Sequence, residues 1–280
     1  MFTTLVPAAT LAAHLDDPQW IVFDCRHDLF DPAAGTHAYA QSHVRGARHV
    51  SLDRDLSGEK TGRNGRHPLP EAATFCARMA ALGLRNDLQA VAYDASGGAF
   101  AARLWWMLRW VGHHNAAVLD GGWNAWLQAR LPVTAAVPAV VRGDFQGTPR
   151  ARCVDAASVA AAIGSDRLRL IDARSADRFR GENETLDPVG GHIPGATNRF
   201  FQLNLDADGR FKPPAVLERE FSSLLAGTPA EQVVHQCGSG VTACHNLLAM
   251  EAAGLTGSKL FPGSWSEWCS DPRRPVAVGS

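Results

Sequence analysis

Two kinds of apolar run alternate along this chain. Short runs rich in β-branched and aromatic residues, Trp20-Ile21-Val22-Phe23 and Leu168-Arg169-Leu170-Ile171, each end on an aspartate, Asp24 or Asp172. Ala90-Val91-Ala92-Tyr93 and Gln232-Val233-Val234-His235 have the same character, and each runs into a glycine-containing turn. Behind each turn comes a longer apolar stretch, Phe100 to Val111 or Val241 to Ala253, which predicts a helix. Strands alternating with helices predict an α/β fold whose mostly parallel sheets are flanked by helices. In such sheets ligands bind beyond the carboxyl ends of the strands. Cys237 sits at such an end.

The pattern occurs twice. VAYDASGGAFAAR at 91–103 matches VVHQCGSGVTACH at 233–245, and Gly121-Gly122-Trp123-Asn124-Ala125-Trp126 matches Gly263-Ser264-Trp265-Ser266-Glu267-Trp268 at the same offset of 142. Asp24-Cys25-Arg26 matches Asp172-Ala173-Arg174, and His43-Val44-Arg45-Gly46-Ala47 matches His192-Ile193-Pro194-Gly195-Ala196. Order and spacing are both kept, which identifies a duplication. Pro132, Pro138 and Pro149 mark a stretch with little charge and no helical period. The expected division is a first domain over 1–133, a linker over 134–150 and a second domain over 151–280.

Composition fits this picture. Apolar residues make up 46% of the 280 and charged residues 20%, enough for an ordinary core in each half. The formal net charge of -1 provides no field toward nucleic acid or anionic membrane, so neither is expected as a partner. The stretch from Leu5 to Leu15 is interrupted by Pro7, is preceded by no Lys or Arg, and runs into His14, Asp16 and Asp17 rather than a cleavage site. No apolar run approaches the ~18 residues of a membrane span. A cytoplasmic protein is the expectation.

Six cysteines, Cys25, Cys76, Cys153, Cys237, Cys244 and Cys269, are scattered without a Cys-x-x-Cys pair. This spacing argues against zinc and against a dithiol motif, and no metal or organic cofactor is expected. Cys237 stands apart from the others. It lies between a strand and a helix, and Gly238 and Gly240 follow it. Glycines let several backbone N–H groups converge, and the following helix adds the positive end of its dipole. Both favour an anion, whether a thiolate, a persulfide or a bound sulfur oxyanion. A cysteine at a helix N-terminus ionises near neutral pH and becomes a nucleophile toward sulfur. The other copy has Ala95 at this position, so the fold does not require a cysteine there.

Cys237-Gly238-Ser239-Gly240-Val241-Thr242-Ala243 resembles the active-site loop of the 3-mercaptopyruvate sulfurtransferases. These are relatives of the thiosulfate sulfurtransferases, or rhodaneses. The Asp-x-Arg strand ends, Gly191-His192-Ile193-Pro194-Gly195-Ala196 and the Gly263 to Trp268 run are similar to landmarks of the same family. The resemblance covers nearly the whole chain. It implies two tandem rhodanese-like domains, the first catalytically silent, and a persulfide carried on Cys237. Gly238, Gly240, Val241 and Thr242 would then bind substrate through the loop. Cysteine-dependent phosphatases use a similar loop but need an arginine six residues after the cysteine to clamp phosphate. That position holds Ala243.

The same resemblance gives Arg178 the role of binding the donor's anionic end, for which a guanidinium fork is suited. Arg174 is expected to be structural, because Arg26 repeats it in the other copy. A second arginine usual in the mercaptopyruvate enzymes is replaced by Asp187. Ser239 stands where thiosulfate enzymes place a lysine. By resemblance it joins His67 and Asp55 in a proton relay, with Asp53 as a competing choice for the carboxylate. His67 would come from the silent domain and place the site at the domain interface, with Arg63 and Arg66 as a positive rim. The expected activity moves sulfane sulfur from a small anionic donor, 3-mercaptopyruvate in preference, to a thiol, thioredoxin or cyanide. Thiosulfate as donor is the first alternative, and a persulfide carrier with little turnover alone is the second.

Overall fold

The computed structural model describes residues 1–279. The chain divides into two compact units, one of Met1–Gly58, Leu69–Ala151 and Ala207–Phe211, the other of Glu59–Pro68, Arg152–Asp206 and Lys212 onward.

The first unit contains β1 (Leu5–Val6), α1 (Ala8–Ala13), β2 (Trp20–Asp24), α2 (Ala34–Gln41), β3 (His43–Val44), β4 (Arg48–His49), α3 (Ala72–Ala81), β5 (Gln89–Tyr93), α4 (Ala101–Trp110), β6 (Ala116–Leu119), α5 (Gly122–Gln128) and β7 (Val133–Thr134). Five strands form a parallel sheet in the order β1-β6-β5-β2-β4, while β3 and β7 make a separate antiparallel pair. The central strands β2 and β5 are buried from Ile21 to Asp24 and from Gln89 to Tyr93. That is why their sequences read as continuous apolar runs rather than alternating ones. Val22, Val91 and Tyr93 pack with Leu11 of α1 and Trp126 of α5. Every residue of α4 is buried, so Trp105, Trp106 and Trp110 belong to the core.

The second unit contains α6 (Ala156–Ala162), β8 (Arg169–Asp172), α7 (Ala176–Arg180), β9 (Thr197–Asn198), α8 (Pro214–Leu225), β10 (Val233–Gln236), α9 (Ala243–Ala252), β11 (Lys259–Leu260) and α10 (Ser264–Trp268). Its sheet is parallel, in the order β11-β10-β8-β9. Leu170 and Val234 pack with Val159, Ile193, Trp265 and Trp268. On β10, His235 turns to α9, where its Nε2 lies 3.1 Å from Met250 Sδ. α9 starts at Ala243 rather than Val241, because the turn after β10 continues through Thr242.

The repeated landmarks do the same structural work in each unit. Arg26 grips the Asp24 carboxylate, donates from Nη2 to the Ser42 carbonyl, and lies over the Trp123 ring. Arg174 grips Asp172, donates from Nη2 to the Gly191 carbonyl, and lies over Trp265. Each arginine pins a strand end to two following segments. Arg174 is held charged despite its burial, chiefly by Asp172 and then by Glu184.

Two segments separate from the chain order. Among the described residues, 135–150 form no helix or strand. They run along the first unit, where the Gly143 and Phe145 amides donate to the carbonyls of Ala80 and Leu84 and the Phe145 ring is buried. Glu59–Pro68 groups with the second unit. The Arg66 amide donates to Ser266 Oγ at 3.0 Å, and a side-chain carbon on Gly65 would stand 2.8 Å from the Gly263 carbonyl oxygen.

Candidate active site

The turn between β10 and α9 carries Cys237 to Thr242. Three neighbouring groups fix its path. The Cys237 amide donates to Ser264 Oγ at 3.1 Å, and Ser264 Oγ donates to the Phe261 carbonyl at 2.9 Å. The Cys237 and Gly238 carbonyls accept from the amides of Trp265 and Ser266. Gly240 takes a φ of +77°, and a Cβ there would lie 2.2 Å from the Pro262 carbonyl oxygen. The chain is thereby bent so that the Gly240 N–H donates to Cys237 Sγ at 3.2 Å. The thiol is 2% exposed, yet a backbone amide is directed at it. That is a polar setting for the sulfur.

Ser264 belongs to no chemical motif in the sequence. It has a φ of +53°, a conformation that costs a non-glycine residue about 1–2 kcal/mol. Its counterpart Gly122 has a φ of +54°. The second copy keeps the strained backbone and gains a hydroxyl that holds the Cys237 amide. The repeat alignment of Gly121-Gly122 with Gly263-Ser264 carried that signal.

The structure brings several of the expected side chains together around the turn. His67 Nδ1 and Ser239 Oγ are 2.8 Å apart, and both residues are buried. By chain position His67 falls within 1–133, but its segment belongs to the second unit, as Cys237 does. A side-chain carbon on Gly238 would stand 2.8 Å from Arg66 Nη2 and 3.5 Å from Arg178 Nη2. Two guanidinium groups therefore lie over the residue that follows Cys237, where a side chain would press on Arg66 and touch Arg178. Asp55 and Asp53 belong to the first unit. There the Asp55 carboxylate accepts the Ser51 amide at 2.8 Å. Val241 is buried and Thr242 half-buried in the turn just before α9.

The guanidinium groups are anchored by buried acids. Arg178 Nη2 is 2.8 Å from Glu184 Oε1 and 3.7 Å from Asp187 Oδ2. Arg66 Nη1 forms an ion pair with Asp187 Oδ1. Burial pushes the Asp187 carboxyl up against the pull of Arg66. Burial acts the same way on Glu184, but Arg178 and the Leu186 and Asp187 amides together outweigh it and hold that carboxyl below its ordinary range. Position 187, which departs from the family pattern, thus supplies a carboxylate that ties down two cations. Cys244 and His245 have packing roles instead: Cys244 Sγ approaches the Gly240 carbonyl at 3.4 Å, and the His245 ring meets Phe201 edge-on. Trp265 is fully buried, with its indole N–H on the Val189 carbonyl.

Gln236, next to Cys237, is also unusual. It is fully buried, and among the described residues neither Oε1 nor Nε2 has a hydrogen-bond partner. Leaving a buried polar group unpaired costs about 1–3 kcal/mol.

A family model for the rhodanese-like domain matches the chain twice, over residues 7–129 and 155–271. The chain belongs to the rhodanese-like domain family. It is 50% identical over 278 residues to a Pseudomonas aeruginosa protein named "Probable 3-mercaptopyruvate sulfurtransferase", covering 98% of each chain. It is 33% identical to a thiosulfate sulfurtransferase of Cricetulus griseus, covering 82% of this chain and 78% of that one. The crystal structure of SseA from Escherichia coli, described as a 3-mercaptopyruvate sulfotransferase with the rhodanese fold, superposes with a TM-score of 0.82 at 30% identity, covering 94% of this chain and 99% of SseA. The expected architecture of two rhodanese-like domains holds, and so does the expected enzyme class, a sulfurtransferase. Among the described residues no helix is long and apolar enough to cross a membrane.

Proposed function

We propose that this sulfurtransferase takes sulfur from 3-mercaptopyruvate onto Cys237 and passes it to a thiol acceptor. The observation that carries the reading is the hydrogen bond from the Gly240 amide to Cys237 Sγ. It supports a sulfur held by a backbone donor at the end of a strand, with Arg66 and Arg178 beside the adjoining Gly238.

In the first half-reaction the Cys237 thiolate attacks the donor sulfur. The S–S bond forms as the donor C–S bond breaks, and the bonding pair stays on carbon as the enolate of pyruvate. That enolate takes a proton. Ser239 with His67 is positioned to deliver it, since a histidine can pass a proton through a hydroxyl it touches. Asp55, or Asp53, enters this relay from the sequence resemblance. Arg178 holds the donor carboxylate. In the second half-reaction an acceptor thiolate removes the outer sulfur and regenerates the Cys237 thiolate, a double displacement. Low-molecular-weight thiols, thioredoxin and cyanide are all chemically suited as acceptors.

Thiosulfate is the second reading, favoured by Asp187 in place of an arginine. The two donors differ in a way that tests the relay. Sulfite leaves thiosulfate without needing a proton, whereas the enolate needs one. Ser239→Ala is therefore expected to lower kcat with 3-mercaptopyruvate by about 10²-fold, and with thiosulfate by less than about 3-fold. Equal losses with both donors would remove Ser239 from proton transfer. Arg178→Ala is expected to raise the donor KM about 10-fold or more while still allowing persulfide formation at saturation. Unchanged donor kinetics would take Arg178 out of donor recognition. The reading as a whole is tested by intact mass spectrometry with steady-state assays. Exposure to 3-mercaptopyruvate should add one sulfur atom to the protein, and kcat/KM should exceed that for thiosulfate. Slow turnover with both donors, but rapid loading from a persulfide-bearing partner, would favour a carrier.

A further inference from the structure

The two units finish the same turn with different chemistry. In the first, the buried Asp94 carboxylate is seated in the turn after β5. It accepts from the amides of Ser96 at 2.7 Å, Gly98 at 2.9 Å, Phe100 at 2.8 Å and Ala101 at 2.8 Å. Burial pushes this carboxyl up while the four amides pull it down, so an acceptor belonging to the protein itself fills the turn. The offset of 142 residues places Gln236 where Asp94 stands, Cys237 where Ala95 stands and Gly240 where Gly98 stands. The matching amide changes partner accordingly: Gly98 N–H goes to Asp94, and Gly240 N–H goes to Cys237 Sγ. The Gln236 side chain accepts and donates nothing among the described residues, so it takes none of the turn's amides.

We propose that Gln236 is a positioning residue whose uncharged side chain leaves the amides of the Cys237 turn to the sulfur anion, and that Asp94 is a built-in plug closing the equivalent cradle in the first unit. The inference rests on Cys237 as the sulfur carrier and explains the silence of the first unit by a second difference beyond Ala95. A carboxylate at 236 would act in two ways. It would collect the N–H groups, as Asp94 does, and it would set a negative charge beside the sulfur. Each favours the neutral thiol over the thiolate and the persulfide anion. A residue that merely filled space would need neither neutrality nor an unpaired amide.

The test compares side chains of nearly equal size that differ in charge. In the full chain, Gln236→Asp is expected to slow alkylation of Cys237 at neutral pH at least about 10-fold and to move its pH profile up by about one unit or more. Gln236→Asn should stay within about 3-fold of the parent with an unmoved profile. Melting temperatures of both variants separate this from a folding defect. The reverse arm uses a Cys237→Ser background. There the thiol introduced by Ala95→Cys should be alkylated about 10-fold faster, by peptide mass mapping, when Asp94→Asn is added. Ala95 is exposed, so the reagent reaches that position. Identical pH profiles for Gln236→Asp and Gln236→Asn would overturn the proposal, as would an Ala95→Cys thiol indifferent to Asp94. Sulfur loading of the parent reads the Cys237 assignment separately. If the parent fails to load while the Asp and Asn variants still differ, the assignment falls and the electrostatic role of position 236 stands.

Discussion

Cys237→Ser is expected to abolish sulfur transfer, lowering kcat/KM by at least about 10³-fold with either donor, and to leave the protein without the extra sulfur in intact mass spectra. Serine is close to isosteric with cysteine, and its hydroxyl can accept the Gly240 amide that now points at Sγ. The turn keeps its other ties, from the Cys237 amide to Ser264 and from the Cys237 and Gly238 carbonyls to α10. The fold should therefore survive, with a melting temperature within a few degrees of the parent. What disappears is the sulfur atom that can form the S–S bond. Three of the other thiols are held in the neutral form. Burial pushes the Cys25 thiol up, and the Asp94, Asp24 and Asp55 carboxylates push in the same direction. Burial also raises Cys76, and it takes Cys269 to about 11. At that value only ~10⁻⁴ of Cys269 is ionised at neutral pH. Appreciable loading of sulfur in Cys237→Ser would mean that a different cysteine carries it.

Much of the architecture could be read from the chain because the duplication made each landmark appear twice. The repetition of Arg26 at Arg174 predicts a structural role, and both arginines do grip their aspartates and reach a carbonyl of the next segment. The buried central strands read as apolar runs because both faces are covered. The Cys237 turn was legible from its two glycines and from Ala95 in the partner copy. Other parts were not legible, for physical reasons. Glu59–Pro68 is polar and has no period, and nothing local shows that it packs with a unit beginning some ninety residues later. The ion pair of Arg66 with Asp187 joins residues 121 positions apart, and a single pairing of that kind leaves no periodic trace. Asp187 reads in sequence as the loss of an arginine, whereas in space it is the anchor of two arginines. Ser264 and Gln236 are a different case. Their counterparts, Gly122 and Asp94, were already aligned with them, but their meaning depends on a backbone angle and on hydrogen bonds that letters do not encode.

Gly240→Ala is expected to be nearly as damaging as removing the sulfur, through geometry alone. The Cβ would lie 2.2 Å from the Pro262 carbonyl oxygen, and that atom belongs to the backbone, so no side chain can swing aside. The φ of +77° adds about 1–2 kcal/mol of strain for any residue with a Cβ. Relief requires the turn to move away from Pro262, and this takes the Gly240 amide away from Cys237 Sγ. A shift of about 1 Å at a reacting centre costs on the order of 10²-fold in rate. Loss of the amide's charge stabilisation costs a further 10-fold or so. The expectation is a kcat/KM about 10³-fold below the parent and a melting temperature lower by about 5 °C. Gly254→Ala is the matching control. Gly254 has a φ of +82° with nothing within 4 Å of its Cβ position, so the substitution brings the strain without the collision. Gly254→Ala should therefore lose stability but keep its sulfur transfer within about 2-fold of the parent. If Gly240→Ala lost stability to the same extent and kept its activity, the amide at 240 would have no part in holding the sulfur.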